Sequence, residues 1–186
     1  MGDIVNQKAF PIILSAAVCA TVGIGLTAAP AVAKPPPRPD PLTTVLAPGQ
    51  GCPGFWLGVK EEGVTKDVRV VRDSSGTVIE TVTTCTGVIV TYSNFGSKKK
   101  AKKAEKQVII NTPRSVLTIR PEGTIERWIA EGSNGLVLFP TDIPAGPSTS
   151  HYEGRIEYTV DTTTGVFTLT SVNASKRDIC AELAVR

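Results

Sequence analysis

Apolar and polar residues alternate along most of the chain instead of recurring every third or fourth position. In "GRIEYTV", Ile156, Tyr158 and Val160 share one face, while Arg155, Glu157 and Thr159 take the other. In "VFTLTSV", Phe167 and Leu169 fall on one side, with Val166, Thr168 and Thr170 opposite. "DVRVVR" and "TVIETVT" keep the same period of two, which marks half-buried strands. Turn chemistry separates these runs at Asp73-Ser74-Ser75-Gly76, Pro121-Glu122-Gly123, Gly132-Ser133-Asn134-Gly135 and Asp161-Thr162-Thr163-Thr164-Gly165. The pattern predicts strands at 54–60, 66–72, 77–83, 88–94, 107–112, 115–120, 124–130, 136–139 and 152–160, with 166–172 as the hairpin partner of the last. The tail "RDICAELAVR" reads as a short strand or a turn of helix.

Nearly a third of the residues after position 33 are Val, Ile or Thr, whose branched Cβ suits a pleated surface. The fold class expected is all-β, an antiparallel β-sandwich or small barrel of about nine to ten strands. Residues 1–33 stand apart. A short polar start precedes the apolar "AFPIILSAAVCATVGIGLTAA", and Ala31-Val32-Ala33 supplies a small-x-small cleavage site. That is the layout of a secretory signal peptide. An uncleaved anchor is the rival reading, because about 20 apolar residues can cross a bilayer. Residues 34–50 follow as a proline-rich, structureless spacer, since proline fixes φ and favours extended backbone. A single domain is expected over 51–186.

Export makes disulfides plausible, and Cys52, Cys85 and Cys180 lie beyond the leader. Spacing leaves all three pairings open. Joining Cys52 to Cys180 is favoured, because it would tie the two ends of the domain together. Closing so long a loop is worth about 5 kcal/mol in the chain-entropy model. Cys85 would then be a free thiol, either inert in the core or available to a partner.

The segments "CPGFWLGV" (52–59), "NGLVLFPTDIPAGPS" (134–148), "YEGRIEYTVDTTTGVFTLTS" (152–171) and "DICAELA" (178–184) occur in an order that carries a likeness. Through them the chain resembles a loosely defined group of short exported actinobacterial proteins of unknown function. The resemblance implies export, a β fold and a Cys52–Cys180 pair, and marks Cys85 as an addition of this chain. It implies no activity.

Charge is distributed unevenly. Lys98, Lys99, Lys100, Lys102, Lys103 and Lys106, with Glu105, give residues 98–106 a net +5 in a chain whose total is +3. Both flanks read as strands, so the run caps a hairpin. One reading is a solvated tip that also blocks edge-to-edge pairing. The functional reading is a salt-sensitive contact with an anionic envelope polymer or lipid surface. No aromatic residue is interleaved for base stacking and no arginine for bidentate phosphate contact, so specific nucleic-acid recognition is not expected.

Signals for chemistry are sparse. His151 is the only histidine. It follows a Pro/Gly/Ser-rich loop and reads as a surface residue at a strand start. The sequence contains no G-x-S-x-G elbow, P-loop, EF-hand loop or dinucleotide fingerprint. Neither a C-x-x-C pair nor a Cys/His cluster points to a metal, and no cofactor is expected. Glu61 and Glu62 read as solvated, and Glu126 and Glu157 as strand residues facing polar neighbours. Trp56 and Trp128 read as core residues before sugar platforms. The sequence therefore points to a non-enzymatic binding or structural module at the cell envelope. The alternative is a secreted hydrolase using pocket carboxylates or His151.

Overall fold

A computed structural model describes residues 42–97 and 103–184. The leader, most of the spacer and Lys98, Lys99, Lys100 and Lys102 lie outside the described residues. Eight strands form one antiparallel sheet: β1 (Leu42–Leu46), β2 (Leu57–Glu62), β3 (Thr65–Arg72), β4 (Val78–Asn94), β5 (Lys106–Glu122), β6 (Ile125–Leu138), β7 (Ser148–Asp161) and β8 (Phe167–Asp178). Their order is β1-β2-β4-β5-β6-β7-β8, with β3 also paired to β4. β2 and β3 lie end to end along β4, from Leu57↔Asn94 to Arg72↔Val78. A short helix, α1 (Ile179–Leu183), closes the described chain, and the Asp178 carboxylate caps it by accepting from Ala181 N–H.

The all-β, antiparallel expectation holds, with three corrections. The sheet is not closed, so it is no barrel. The strands are fewer and longer: 77–83 with 88–94, 107–112 with 115–120, and 124–130 with 136–139 each fuse into one. Gly132-Ser133-Asn134-Gly135 is therefore not a reversal. Lastly, the spacer assigned to 34–50 contains β1, whose "LTTVL" pairs along β2 from Leu42↔Glu61 to Leu46↔Leu57. The turns at Asp73–Gly76, Glu122–Gly123 and Asp161–Gly165 are where the sequence places them.

The fused strands bend at a crease. One transverse row runs Cys85↔Ser115↔Gly132↔Gly154↔Ala174 across five strands. At Gly132, φ is +85° and a Cβ would sit 2.5 Å from the Arg114 carbonyl oxygen, so only glycine allows the strands to approach. Pairing of β5 with β6 stops at Ser115↔Gly132, although both strands continue. Past that row the sheet parts into two flaps, which touch where Tyr92 of β4 meets His151 of β7, strands that are not neighbours in the sheet.

One apolar core fills the space between them. Leu57 and Val59 of β2, Val88, Val90 and Tyr92 of β4 and Ile110 of β5 meet Val137 of β6, Phe139 just after it, and Ile179 and Leu183 from α1. A second core, with Leu136, Leu138, Tyr152, Ile156, Tyr158 and Phe167, lies on the other face of β6–β8. The β6–β7 loop encloses it. Ile143 N–H donates to Phe167 C=O, and Leu169 N–H donates to Ile143 C=O. Buried Asp142 anchors the loop by accepting from the N–H of Phe139 (2.6 Å) and of Phe167 (3.2 Å).

The Cys52–Cys180 disulfide joins the loop after β1 to α1 across 128 residues, with Cα atoms 5.5 Å apart. Thr149 on β7 reinforces the junction: its hydroxyl donates to Gly51 C=O at 2.8 Å. Thus the favoured pairing is the observed one. Cys85 takes no part in a disulfide and is 1% exposed in the inter-flap core.

Candidate functional site

Two places gather polar chemistry. The first is the hairpin tip. The β4–β5 ladder stays in register up to Asn94↔Lys106, because both strands carry β-branched residues on alternating faces. Beyond it, Asn94 organises the base of the tip. Its Oδ1 accepts from Gly96 N–H at 2.7 Å, its C=O from Glu105 N–H at 2.7 Å, and its Nδ2 donates to Leu183 C=O at 3.0 Å. Lys103 and Lys106 are exposed. Lys106 Nζ lies 3.4 Å from Ala184 C=O, just past the end of α1. The backbone also brings Trp56 to the base of the tip: Phe95 N–H donates to Trp56 C=O, and Trp56 N–H to Gly96 C=O, both at 2.9 Å. Trp56 is half-buried there. No local pattern signals this neighbour, because it is 39 positions from Phe95.

The second place is a polar seam between the flaps. His151 is 1% exposed, so its reading as a surface residue is corrected. Its hydrogen-bond partners come from two other strands, β4 and β6, and β4 is not a neighbour of β7 in the sheet. Tyr92 OH lies 3.2 Å from Nδ1, and Ser133 Oγ lies 2.8 Å from Nε2. Ser133 Oγ in turn donates to Glu153 Oε1 at 2.6 Å and meets Thr112 Oγ1 at 3.2 Å.

One proton order satisfies every contact. The Ser133 proton is committed to Glu153, so its oxygen accepts from Nε2–H and from Thr112. That leaves Nδ1 unprotonated to accept from Tyr92 O–H. Burial holds His151 below the ordinary imidazole range; nearby Glu153 pulls the other way and Arg177 adds to the depression. Burial, with Glu61 close by, pushes the Tyr92 phenol well up.

The seam has the composition of a triad but not its function. A serine nucleophile needs the imidazole to take its proton. Here Nε2 carries a proton and gives a hydrogen bond to Ser133, and the Glu153 carboxylate lies on that same side, bonded to the serine and 3.5 Å from Nε2, instead of orienting the ring from Nδ1. Ser133 is also 1% exposed. The seam joins flaps.

Other named carboxylates are dispersed. Glu61 is buried at 3% exposure, correcting its reading as solvated, because β2 turns it to the side of Leu57 and Val59. Glu62 pairs with Lys60 at 2.8 Å. Glu157 lies between Arg127 and Arg155, whose hydrogen bonds hold its carboxyl below the usual range. Glu126 accepts from Trp128 Nε1 at 2.9 Å, and Trp128 leans on Tyr158 with centroids 5.6 Å apart. A half-open depression of about 280 Å³, lined by Gly49, Gln50, Phe139, Pro140, Thr141 and Gly165, has Asp142 as its one acidic group. Among the described residues no group of three His, Cys, Asp or Glu side chains could hold a metal ion. Among them, too, no helix is long and apolar enough to cross a membrane.

No family model, no curated protein and no solved structure matches this chain.

Proposed function

We propose that the chain is an exported, sandwich-like binding module of the cell envelope, stapled by Cys52–Cys180, whose lysine hairpin tip docks on anionic polymer or lipid. The observation that carries this reading is the tip's construction. A long, regular hairpin ends at Asn94↔Lys106, its base is tied to α1, and two of the six lysines stand exposed on described backbone. A rigid stem is what lets a charged loop work as a contact, because little ordering entropy remains to be lost on binding. The disulfide supports an oxidising compartment. The hydrolase alternative gains no support from His151, whose proton order and burial both oppose it.

Retention of the exported protein on phosphatidylglycerol vesicles, on phosphatidylcholine vesicles and on heparin, each as a function of salt, tests the reading. Each engaged lysine is worth about 1 kcal/mol near an anionic bilayer. Loss of two such contacts alone would weaken binding about thirtyfold. Replacing all six lysines by Gln should abolish anion-dependent retention without moving the unfolding midpoint. Equal retention of that variant sinks the proposal.

A further inference from the structure

Among the described residues strand β3 is an edge: it pairs there with β4 alone, and Thr65 through Val70 are all exposed, with Val68 and Val70 at 45% and 46%. Such an edge presents a row of unused N–H and C=O groups to another strand. No proline interrupts it, and its charges alternate in sign through Lys66, Asp67 and Arg69 instead of repelling as a block. The ladder to β4 is regular from Thr65↔Thr86 to Val71↔Glu80 and slips only between Val71 and Arg72. The regular stretch is thus seven residues long, with Val68 at its centre.

We propose that this edge pairs antiparallel with the same edge of a second copy, about a two-fold axis at Val68. Such isologous pairing requires one residue to face its own counterpart. With Val68 on the axis, Asp67 faces the partner's Arg69 and Arg69 faces the partner's Asp67. Lys66 then lies against the partner's Val70, and Thr65 against the partner's Val71, so the whole regular stretch is used. Neighbouring registers fail on charge. An axis at Asp67 sets that carboxylate against itself. An axis at Arg69 opposes the two arginines and places Lys66 against the partner's Arg72, and an axis at Val70 opposes Asp67 to the partner's Asp73. Like charges directly across a ladder are destabilising.

The two charged groups are available for the purpose. Asp67 has no ion pair among the described residues. Arg69 lies 3.6 Å from Glu80, but Glu80 is already held by Arg120 at 2.8 Å, and the Arg69 side chain remains 69% exposed. The competing occupant is the chain ahead of β1, since the β1 ladder runs towards Glu61 at its first residue. Its prolines at 35, 36, 37, 39 and 41 have no N–H to donate, which suits it poorly to a ladder.

A seven-residue edge buries less than the roughly 1,600 Å² of a standard interface, so dissociation in the micromolar to millimolar range is expected. Sedimentation equilibrium of the full exported chain over that range should show monomer and dimer. Asp67→Lys should weaken the dimer about tenfold, and adding Arg69→Glu should restore it. Both residues are exposed, and circular dichroism checks that each variant folds. Under mild oxidant Val68→Cys should give a disulfide-linked dimer and Val70→Cys should not, with buried Cys85 out of reach. A monomer at millimolar concentration overturns the proposal. So does a dimer indifferent to Asp67→Lys, an uncross-linked Val68→Cys, or a dimer that forms only once residues 34–41 are deleted.

Discussion

Acid should unfasten the flaps through His151. The ring is buried between β4, β5, β6 and β7, accepts from Tyr92 and donates to Ser133. Charging it would need a proton on Nδ1, where Tyr92 already donates. The charged and titratable groups around it are Glu153 on its own strand, Arg177 opposite on β8, Glu182 on α1 and Tyr92, with Glu61 beyond the phenol. Burial dominates and holds the folded imidazole below its ordinary value of 6.5. Between the folded and unfolded values the unfolded chain carries the extra proton, so stability falls as pH drops below 6.5. A ring that refused its proton entirely would cost about 2 kcal/mol between pH 8 and pH 5, which is the ceiling. The carboxyls of Glu182 and Glu157, held below 4.5 by their arginines, contribute stability that is lost only at more acid pH. Since the chain has one histidine, replacing it isolates the imidazole's share of the interval between. Urea midpoints of wild type and His151→Gln across pH 5 to 8 provide the assay. The variant should be weaker by about 2 kcal/mol at neutral pH, from the phenol of Tyr92 left without its acceptor and the lost bond to Ser133, and flatter where wild type slopes. Parallel curves, or an imidazole titrating above 6.5 by NMR, would refute the reasoning.

Three further outcomes follow from the same contacts. Gly132→Ala places a Cβ 2.5 Å from the Arg114 carbonyl oxygen at a φ of +85°, and should lower the urea stability by about 2 kcal/mol or more. Asp142→Ala strips the carboxylate from two backbone donors and should cost about 2–3 kcal/mol; hydrogen exchange at Ile143 and Leu169 should rise before that of β4. Reducing Cys52–Cys180 should lower the denaturant midpoint by up to about 5 kcal/mol of stability, while reduction of a Cys52→Ser/Cys180→Ser variant should have no effect.

Strand periodicity made β7 legible because one face packs on apolar partners and the other meets water, while β3 was legible from its branched residues although nearly all of it is exposed. The fused strands were hidden for a reason that resides in particular residues. Gly132, Ser133, Asn134 and Gly135 carry turn chemistry, yet Gly132 is used to bend a strand across its neighbour's carbonyl. Pro113 lies inside β5, but it sits where pairing to β4 lapses between Arg114 and Thr112 and to β6 has ended, so its missing donor costs nothing. "LTTVL" was masked by the prolines before it. The seam around His151 was illegible outright. Its contacts reach 59 residues to Tyr92 and 18 to Ser133, and only the crease brings those positions together. Glu61 misled in the same manner, since an adjacent Glu62 implied shared solvation while strand alternation divided the pair.

The staple and the lysine tip are mechanically connected. Cys180 lies in α1, and the carbonyls at the end of that helix receive Asn94 Nδ2 from β4 and Lys106 Nζ from β5. Asn94 also accepts from Gly96 and Glu105, the residues that launch and recover the tip. A five-residue helix has too few internal bonds to hold its place unaided. What fixes it is burial of Ile179 and Leu183 between the flaps, together with the bond to Cys52. The disulfide therefore bears on how the lysines are presented as well as on whether the chain folds. Breaking Cys52–Cys180 would reach the base of the lysine hairpin through the last turn of α1.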